Sequence, residues 1–402
     1  MSDKSYCSVS KKCNGCQLSN MDYQRQLKYK QNEMRIRFNR LLNLEKITPS
    51  PLTLHYRNKA QFVFREDKDG KISPAIYQSS DRTAVKCRGC ALHTEKQNAV
   101  GLEVARLMEK YRIKPYDMHR ERGTLRSLIL RESFESGNMM AVFVCDGRSK
   151  FGISEAFATE LSEKFSYLKS IITTKSTSNK LTPGDNPKVL FGEEHLIDTL
   201  LSLRFVISYN SFFQINTRQT ENLYSTAIDF ASLTKEDTVL DAYSGTGTIG
   251  IIASEKAGKV ISVEQNENAV KDAILNAKLN NIENISFVCD DSERYMKKLE
   301  HEDAKITAAI LDPPRAGCSK SFLMSLSRVA PKKIVYISCN IDTQLRDLRL
   351  LSKCGYKPLK AQGFDMFPYT KHIESIVCLS RDKSDDYVRI PVHTKDLQTK
   401  AN

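Results

Sequence analysis

Cys339 is the residue whose type and position most clearly suggest chemistry. It ends the apolar segment KIVYISC and precedes the helical pattern IDTQLRDL, so the N-terminus of a helix could stabilise its thiolate. A thiolate can add to C6 of a uracil ring, and this addition makes C5 nucleophilic enough to attack an electrophilic methyl group. A buried thiol without a chemical role is the alternative for Cys339 taken alone.

Such a reaction also needs a general base, because the C5 proton must leave before the cysteine can be expelled. Glu374, in the segment FPYTKHIESI, is the candidate for this base, and His372 is its rival by residue type. Cys339 and Glu374 together therefore predict a nucleophile and a base.

A rigid turn, Asp312-Pro313-Pro314-Arg315, follows the apolar segment AAIL. Its two prolines restrict the backbone and leave carbonyl groups that could hold a flat base or an amino group. An Asx-Pro-Pro motif followed by an aromatic residue is typical of amino-group methylation, but Arg315 stands in that place here. The motif alone leaves both uracil and amino methylation open.

The segment SGTGTIG (244–250) follows the strand pattern TVLDAY. Gly245 allows a tight turn and a close backbone approach to a ligand, and the next helix presents its amide groups. Glu264 ends the following strand and could accept hydrogen bonds from both hydroxyls of a ribose. Asp241, at the end of the first strand, suits the cationic methionine part of S-adenosylmethionine better than a pyrophosphate. A weak NAD motif is the alternative.

Two acids, Asp290 and Asp291, follow the strand pattern ISFVC. Either could reach an adenine amino group, and either could instead cap the helix that starts near Ser292. We take Asp290 as the candidate cofactor contact.

Eleven cysteines in a chain without secretory features do not predict a disulfide framework. Cys145, Cys289 and Cys378 lie in apolar runs and are expected in the core. The others of interest form an N-terminal group: Cys7, Cys13, Cys16, Cys87 and Cys90. Two CxxC-type pairs could hold zinc, whereas a C-x5-C-x2-C pattern with one distant cysteine suits an iron–sulfur cluster.

The order of elements predicts the fold class and the domains. After about residue 220, strands and helices alternate strictly, which indicates a Rossmann-like, doubly wound α/β sheet. A smaller α+β region precedes it. We expect a cysteine-rich segment with a basic helix over 1–54, a central RNA-binding domain over 55–204, a catalytic domain over 205–382 and a polar tail over 383–402. The basic helix is predicted over 20–44, with one apolar face formed by Leu27, Met34, Phe38, Leu41 and Leu42.

Composition limits the class of protein. The chain has 402 residues, of which 40% are hydrophobic and 27% charged, as in soluble globular proteins of two or three domains. Residues 1–200 carry a net charge of +11 and the remainder +2, so one half could bind a polyanion. No apolar run approaches the roughly 20 residues that cross a bilayer, and there is no signal peptide. We expect a cytoplasmic monomer.

Six motifs then resemble those of the RNA uracil-5-methyltransferases, in that family's order: SFFQIN, DAYSGTGTIG, SVEQN, LDPPRAG, YISCN and MFPYTKHIES. The resemblance is strong over about residues 205–380. It implies that Cys339 is the nucleophile and Glu374 the base. It also implies S-adenosylmethionine contacts by Gln214, Tyr243, Glu264 and Asp312.

The clustered cysteines resemble the 23S rRNA branches of that family and not the tRNA branch. The early cysteines and short N-terminus fit the compact branch best, and its substrate is uracil 747 of 23S rRNA. The resemblance implies a 4Fe–4S cluster held by Cys7, Cys13, Cys16 and Cys90, with Cys87 competing for the fourth place and zinc as the alternative metal.

Overall fold

The structure is a computed structural model, and it describes residues 7, 9–38, 41–78, 83–177, 181–184 and 186–381. The polar tail expected over 383–402 lies outside the described residues. Across the described ranges, no helix is both long and apolar enough to cross a membrane. The described chain comprises an N-terminal segment, a central sheet and a larger mixed sheet.

The N-terminal segment contains α1 (Ser10–Cys13), α2 (Tyr23–Phe38) and the short strand β1 (Asn43–Leu44). The basic helix therefore ends at Phe38, and the prediction that it continues to residue 44 is wrong. The chain turns instead and adds β1 to the edge of the larger sheet. Met34 and Phe38 are buried in the same core as that sheet, whereas Leu41 is 42% exposed.

The central part is a seven-stranded sheet in the order β4-β3-β2-β5-β6-β7-β8. Its elements are β2 (Lys59–Glu66), β3 (Ile72–Tyr77), β4 (Ala84–Lys86), α3 (Glu95–Lys110), β5 (Leu125–Glu132), β6 (Met139–Asp146), α4 (Glu155–Lys164), β7 (Leu168–Ser176) and β8 (Lys188–Gly192). Every residue of β5 and β6 is buried. One face of these strands packs on α3 and α4, and the other belongs to the core shared with the larger sheet. A hairpin of β9 (His195–Leu200) and β10 (Leu203–Ser208) follows.

The larger sheet has eight strands in the order β1-β16-β17-β15-β14-β11-β12-β13. Its elements are α5 (Thr217–Ala231), β11 (Thr238–Ala242), α6 (Thr248–Ser254), β12 (Lys259–Glu264), α7 (Glu267–Leu279), β13 (Ile285–Cys289), α8 (Ser292–His301), β14 (Ala308–Leu311), α9 (Lys320–Val329), β15 (Lys333–Ser338), α10 (Ile341–Lys353), β16 (Lys357–Phe364) and β17 (Glu374–Ser380). Strands β11 to β15 are parallel, which confirms the Rossmann-like α/β fold.

Two features of this sheet matter for the site. The carboxyl ends of β11, β12, β14 and β15 meet at one edge, where ligands bind in such folds. Strand β17 runs antiparallel between β15 and β16, so its first residue, Glu374, lies at that same edge. The sheet also corrects one prediction: Cys289 is exposed, because β13 is an edge strand.

Candidate active site

The glycine-rich turn after β11 brings α6 very close to the sheet. A Cβ atom on Gly250 would lie 2.2 Å from Ser262 Oγ and 2.6 Å from Asp241 Oδ2. Only glycine therefore fits at this point of the helix. Gly245 has a φ of +54°, a left-handed conformation that glycine adopts at little cost.

Asp241 is a fully buried acid beneath this turn. Ser262 Oγ donates a hydrogen bond of 3.0 Å to Asp241 Oδ2, whereas Oδ1 has no hydrogen-bond partner among the described residues. Burial, together with the charges of Asp312 and Glu264, raises the pKa of Asp241 to about 7. A buried acid with an unpartnered oxygen and two further acids near enough to influence its charge favours a cationic ligand, and S-adenosylmethionine is such a ligand.

Glu264 shapes the turn from the neighbouring strand. Its carboxylate accepts hydrogen bonds from the N–H groups of Gly245 at 3.0 Å and Asn266 at 2.8 Å. The side chain is half-buried, so part of it faces solvent at the edge of the sheet. Tyr243 has a φ of +65°, and its ring centroid lies 5.4 Å from that of Phe322.

The structure separates the two acids after β13. Asp291 caps α8, because its carboxylate accepts the N–H groups of Glu293 and Arg294. Asp290 forms an ion pair with the Arg294 side chain. Asp290 is thus the one of the two that is not used as the helix cap.

Gln214 lies in a loop that the central sheet holds in place. Asn58 Nδ2 donates 2.7 Å to the Gln214 carbonyl, and the Asn58 N–H donates 2.9 Å to the carbonyl of Ile215. The Gln214 side chain forms a hydrogen bond with the phenol group of Tyr224. This loop therefore joins the two sheets at the site.

Cys339 and Glu374 share one electrostatic environment. Burial raises the pKa of the Cys339 thiol, and the Glu374 carboxylate raises it further, while Arg315 lowers it. The surroundings of the thiol thus oppose its ionisation, and Arg315 offsets part of this effect; stabilisation of the thiolate by the N-terminus of α10 stays a prediction. Burial also raises the pKa of Glu374 well above its usual range, and Asp312 adds to that rise. The pKa of Asp312 itself is raised to about 7 by burial.

Arg315 is a residue of the site for which the sequence alone suggested no catalytic role. Its side chain reaches the Cys339 thiol and offsets the acids around it. Its backbone carbonyl accepts hydrogen bonds from Asn340 Nδ2 at 3.2 Å and Thr343 Oγ1 at 3.1 Å, so the turn is tied to the start of α10. The signal was present in the motif, where a cation replaces the aromatic residue of amino methyltransferases.

The loop that precedes Glu374 is held by the N-terminal segment. The Leu18 N–H donates 2.9 Å to the Tyr369 carbonyl, and Gln26 Oε1 accepts the Tyr369 N–H at 2.8 Å. Lys30, fully buried, forms an ion pair of 2.5 Å with Asp365 and donates to the carbonyl of Phe367. These contacts fix the loop over 365–373.

His372, the rival base, lies in this loop. It is an exposed residue, although its ring meets that of Phe367 edge-on at 6.1 Å between centroids. Burial lowers the pKa of His372, and the charge of Arg315 lowers it further. A neutral imidazole can accept a proton. Glu374, however, is the residue whose charge raises the pKa of Cys339.

The N-terminal cysteines lie close enough for their thiols to influence one another or the same arginine. Burial, together with the charges of three neighbouring thiols, raises the pKa of the Cys87 thiol to about 12; these thiols are Cys90, Cys7 and Cys13. The charges of Cys16 and Cys90 both raise the pKa of Arg57. In the described part of the chain, however, no three Cys, His, Asp or Glu residues are arranged to hold a metal ion. The described residues therefore distinguish no set of four metal ligands.

Comparison with known proteins supplies the family. Residues 22–382 match the model of the tRNA (uracil-5-)-methyltransferases. The chain is similar to uncharacterized RNA methyltransferases of Clostridium tetani and Halalkalibacterium halodurans. Each is 35% identical over 93% of this chain and 82% of the relative.

A solved structure shows the same architecture. It is the tRNA (uracil-54, C5)-methyltransferase of Pyrococcus abyssi in complex with S-adenosyl-L-homocysteine, which is 25% identical with a TM-score of 0.76. The match covers 91% of this chain and 85% of the other. The chain therefore belongs to the tRNA (uracil-5-)-methyltransferase family, whose members are S-adenosylmethionine-dependent RNA methyltransferases.

Proposed function

We propose that this enzyme methylates uracil C5 in RNA with Cys339 as the nucleophile and Glu374 as the general base. The observation that carries the proposal is the convergence of these two side chains, with Arg315 and Asp312, at the carboxyl edge of the large sheet. When bound, S-adenosylmethionine supplies the methyl group.

The chain's own residues perform the remaining steps. Cys339 Sγ forms a bond to C6 of the uracil ring, and Arg315 stabilises the thiolate before this attack. After C5 is methylated, Glu374 takes the C5 proton. The C5=C6 double bond forms again as the bond between Sγ and C6 breaks, and Cys339 leaves as a thiolate. Glu374 must be ionised for this step, and its burial makes it a strong base.

We also propose the contacts to the methyl donor. Asp241 and Asp312 would meet its cationic part, and Glu264 its ribose. Asp290 would contact the adenine, and Gln214, Tyr243 and Gly245 would supply further contacts to the donor. The support is the partnerless oxygen of Asp241 and the close approach of α6 that Gly250 allows.

The nucleophile is tested by Cys339→Ala. We expect this variant to bind S-adenosylmethionine as the wild type does, because Cys339 lies on the far side of Asp312 from the glycine turn. Methylation should fall below detection, measured as tritium transfer to RNA. Full activity of Cys339→Ala would overturn the mechanism.

For the substrate, we propose a uridine of 23S rRNA, specifically uracil 747. Support comes from the clustered N-terminal cysteines and the basic half of the chain. A tRNA uridine is the second candidate, because the similar Pyrococcus abyssi enzyme acts on tRNA. Mapping 5-methyluridine in both RNAs from cells with and without the gene distinguishes them. Unchanged 23S rRNA would refute the first candidate.

For the cysteine group, we propose a 4Fe–4S cluster with Cys7, Cys13, Cys16 and Cys90 as ligands. The gathering of thiolate donors supports this. Iron, sulfide and zinc should be measured in protein purified without oxygen. Cys90→Ser should lose the metal and Cys87→Ser should keep it, and the reverse result would exchange their roles. Zinc without sulfide would refute the cluster.

A further inference from the structure

We propose that Lys59 and Arg131 bind one phosphodiester group of the RNA substrate, where the central sheet meets the loop over 208–216. This site rests on the proposed function, because it requires an RNA substrate. It is distinct from the methyl-donor site and from the reacting residues.

The first argument is the position of the two cations. Lys59 on β2 lies directly opposite Arg131 on β5 in the antiparallel register, and residues in such pairs project to the same face of a sheet. Their neighbours Ala60 and Leu130 belong to the core beneath α3 and α4. Lys59 and Arg131 therefore face the other way, toward the catalytic part of the chain.

The second argument is that Arg131 has unused hydrogen-bonding capacity. Its side chain is almost completely buried and donates to the carbonyl of Ser211. Its Nε has no partner among the described residues. Asp272 is the acid whose charge acts on it, but that carboxylate already accepts a hydrogen bond of 2.7 Å from Ser208. An incoming acceptor would satisfy the remaining donor.

The third argument is that Lys59 lacks a matching acid. Burial and the charge of Arg131 lower the pKa of Lys59 to about 8, and in the described chain no carboxylate lies within ion-pair distance of it. Lys30 shows the contrast, because its fully buried ammonium has Asp365 at 2.5 Å. Asp272 is thus the one acid whose charge acts on this pair, through Arg131, and two adjacent buried cations are unfavourable unless a further anion joins them.

The surroundings favour an RNA phosphate as that anion. Phe212, next to the Ser211 carbonyl that Arg131 contacts, is 70% exposed, and an exposed aromatic ring beside a phosphate site can stack on a base. Gln214 follows in the same loop and leads to the candidate donor site. A strand whose phosphate rests on Lys59 and Arg131 would thus pass close to the reacting edge.

The test is the salt dependence of RNA binding by Lys59→Met. We expect its affinity for a 23S rRNA fragment to fall about tenfold at low salt, and the slope of log affinity against log salt to decrease by about 0.7 to 0.9. Lys59→Arg should restore both. The matched control is Lys256→Met, which removes the same charge from the C-terminal side of α6, at the opposite edge of the sheet.

Two readouts separate this site from the proposed function. If wild type methylates the fragment but Lys59→Met binds with an unchanged affinity and slope, the phosphate site is refuted and the methylation stands. If Lys59→Met instead loses affinity for S-adenosylmethionine, the pair belongs to the donor site and the proposal is also refuted. If wild type neither binds nor methylates RNA, the proposed function itself fails. Arg131→Lys gives a second variant: it should weaken RNA binding because the guanidinium donors are lost, and it should leave the slope unchanged because the charge is kept.

Discussion

The donor edge and the base loop of this enzyme are built in different ways. At the donor edge, Asp241, Glu264 and Asp312 each lie at the carboxyl end of their own strand, and parallel pairing alone brings them together. The loop over 365–373, which leads to Glu374, is instead bound by residues from the beginning of the chain, with Lys30 and Asp365 separated by 335 positions. The donor edge thus depends on local strand order, whereas the base depends on long-range contacts.

Because the two regions are held by different contacts, we expect them to control different steps, donor binding and proton transfer. A change in the glycine turn should affect donor binding and leave the proton-transfer step intact. A change in the N-terminal support should do the reverse, because Leu18, Gln26 and Lys30 touch the base loop and not the glycine turn. Variants of the two regions should therefore fail at different steps.

The largest effect is expected when the base itself is removed. Glu374→Gln should lower turnover by a factor of about 10² to 10⁴, because the C5 proton has no acceptor. The methylated RNA should remain bound to Cys339, visible as a protein–RNA band in a denaturing gel. His372→Gln is the matched control and should form no such band; a band with His372→Gln alone would transfer the role of base to His372.

Lys30→Met tests the support of the base loop. The change leaves Asp365 buried without its cation, which should lower the free energy of unfolding by about 3 to 5 kcal/mol. Folded Lys30→Met should also accumulate some covalent adduct while its donor affinity stays normal. Lys28→Met, an exposed lysine of the same helix, is the control, and adding Asp365→Asn should recover stability. A Lys30→Met protein with wild-type stability would contradict the comparison.

Gly250→Ala tests the donor edge. The new methyl group would collide with Ser262 Oγ and Asp241, so α6 must move, at a cost of about 1 to 3 kcal/mol. S-adenosylmethionine affinity, measured by calorimetry, should fall, and no adduct should accumulate with the bound donor. Gly152→Ala, where an added Cβ meets nothing within 4 Å, should be neutral. Unchanged donor affinity in Gly250→Ala would place the donor elsewhere.

The smallest effect is a pH dependence of donor binding. Asp241 and Asp312 both have a pKa of about 7, so they ionise as the pH rises through that value. Affinity for cationic S-adenosylmethionine should therefore increase between about pH 6 and pH 8, by up to about tenfold. S-adenosylhomocysteine, which lacks the sulfonium charge, should respond less. Asp241→Asn should reduce the dependence, and an equal response of both ligands would argue against these acids.

Sequence reasoning worked best where side chains follow regular strands. The strict alternation after residue 220 was enough to predict the parallel sheet and to bring Asp241 and Asp312 to one edge with Cys339. It failed where a residue's surroundings come from elsewhere in the chain. Cys289 looks like a core residue in ISFVC, but β13 is an edge strand. In the sequence, Arg315 only occupies the motif position where amino methyltransferases have an aromatic residue. Its place beside the Cys339 thiol follows from the fold.

The N-terminal helix shows the same limit. Its pattern predicts an apolar face, and Met34 and Phe38 are indeed buried, but Gln26 and Lys30 are buried with them. No local rule predicts a buried lysine, because its burial is tolerable only when a distant acid accepts it.

The sequence by itself therefore determined the α/β class and the positions of the strand-end acids, and it predicted the nucleophile and the base, since these follow from periodicity and from residue chemistry at strand ends. Only the tertiary structure decided which acid caps α8, which cation faces Cys339 and how Leu18, Gln26 and Lys30 hold the base loop. The physical reason is that burial, charge pairing and hydrogen-bond satisfaction depend on neighbours that are distant in the chain.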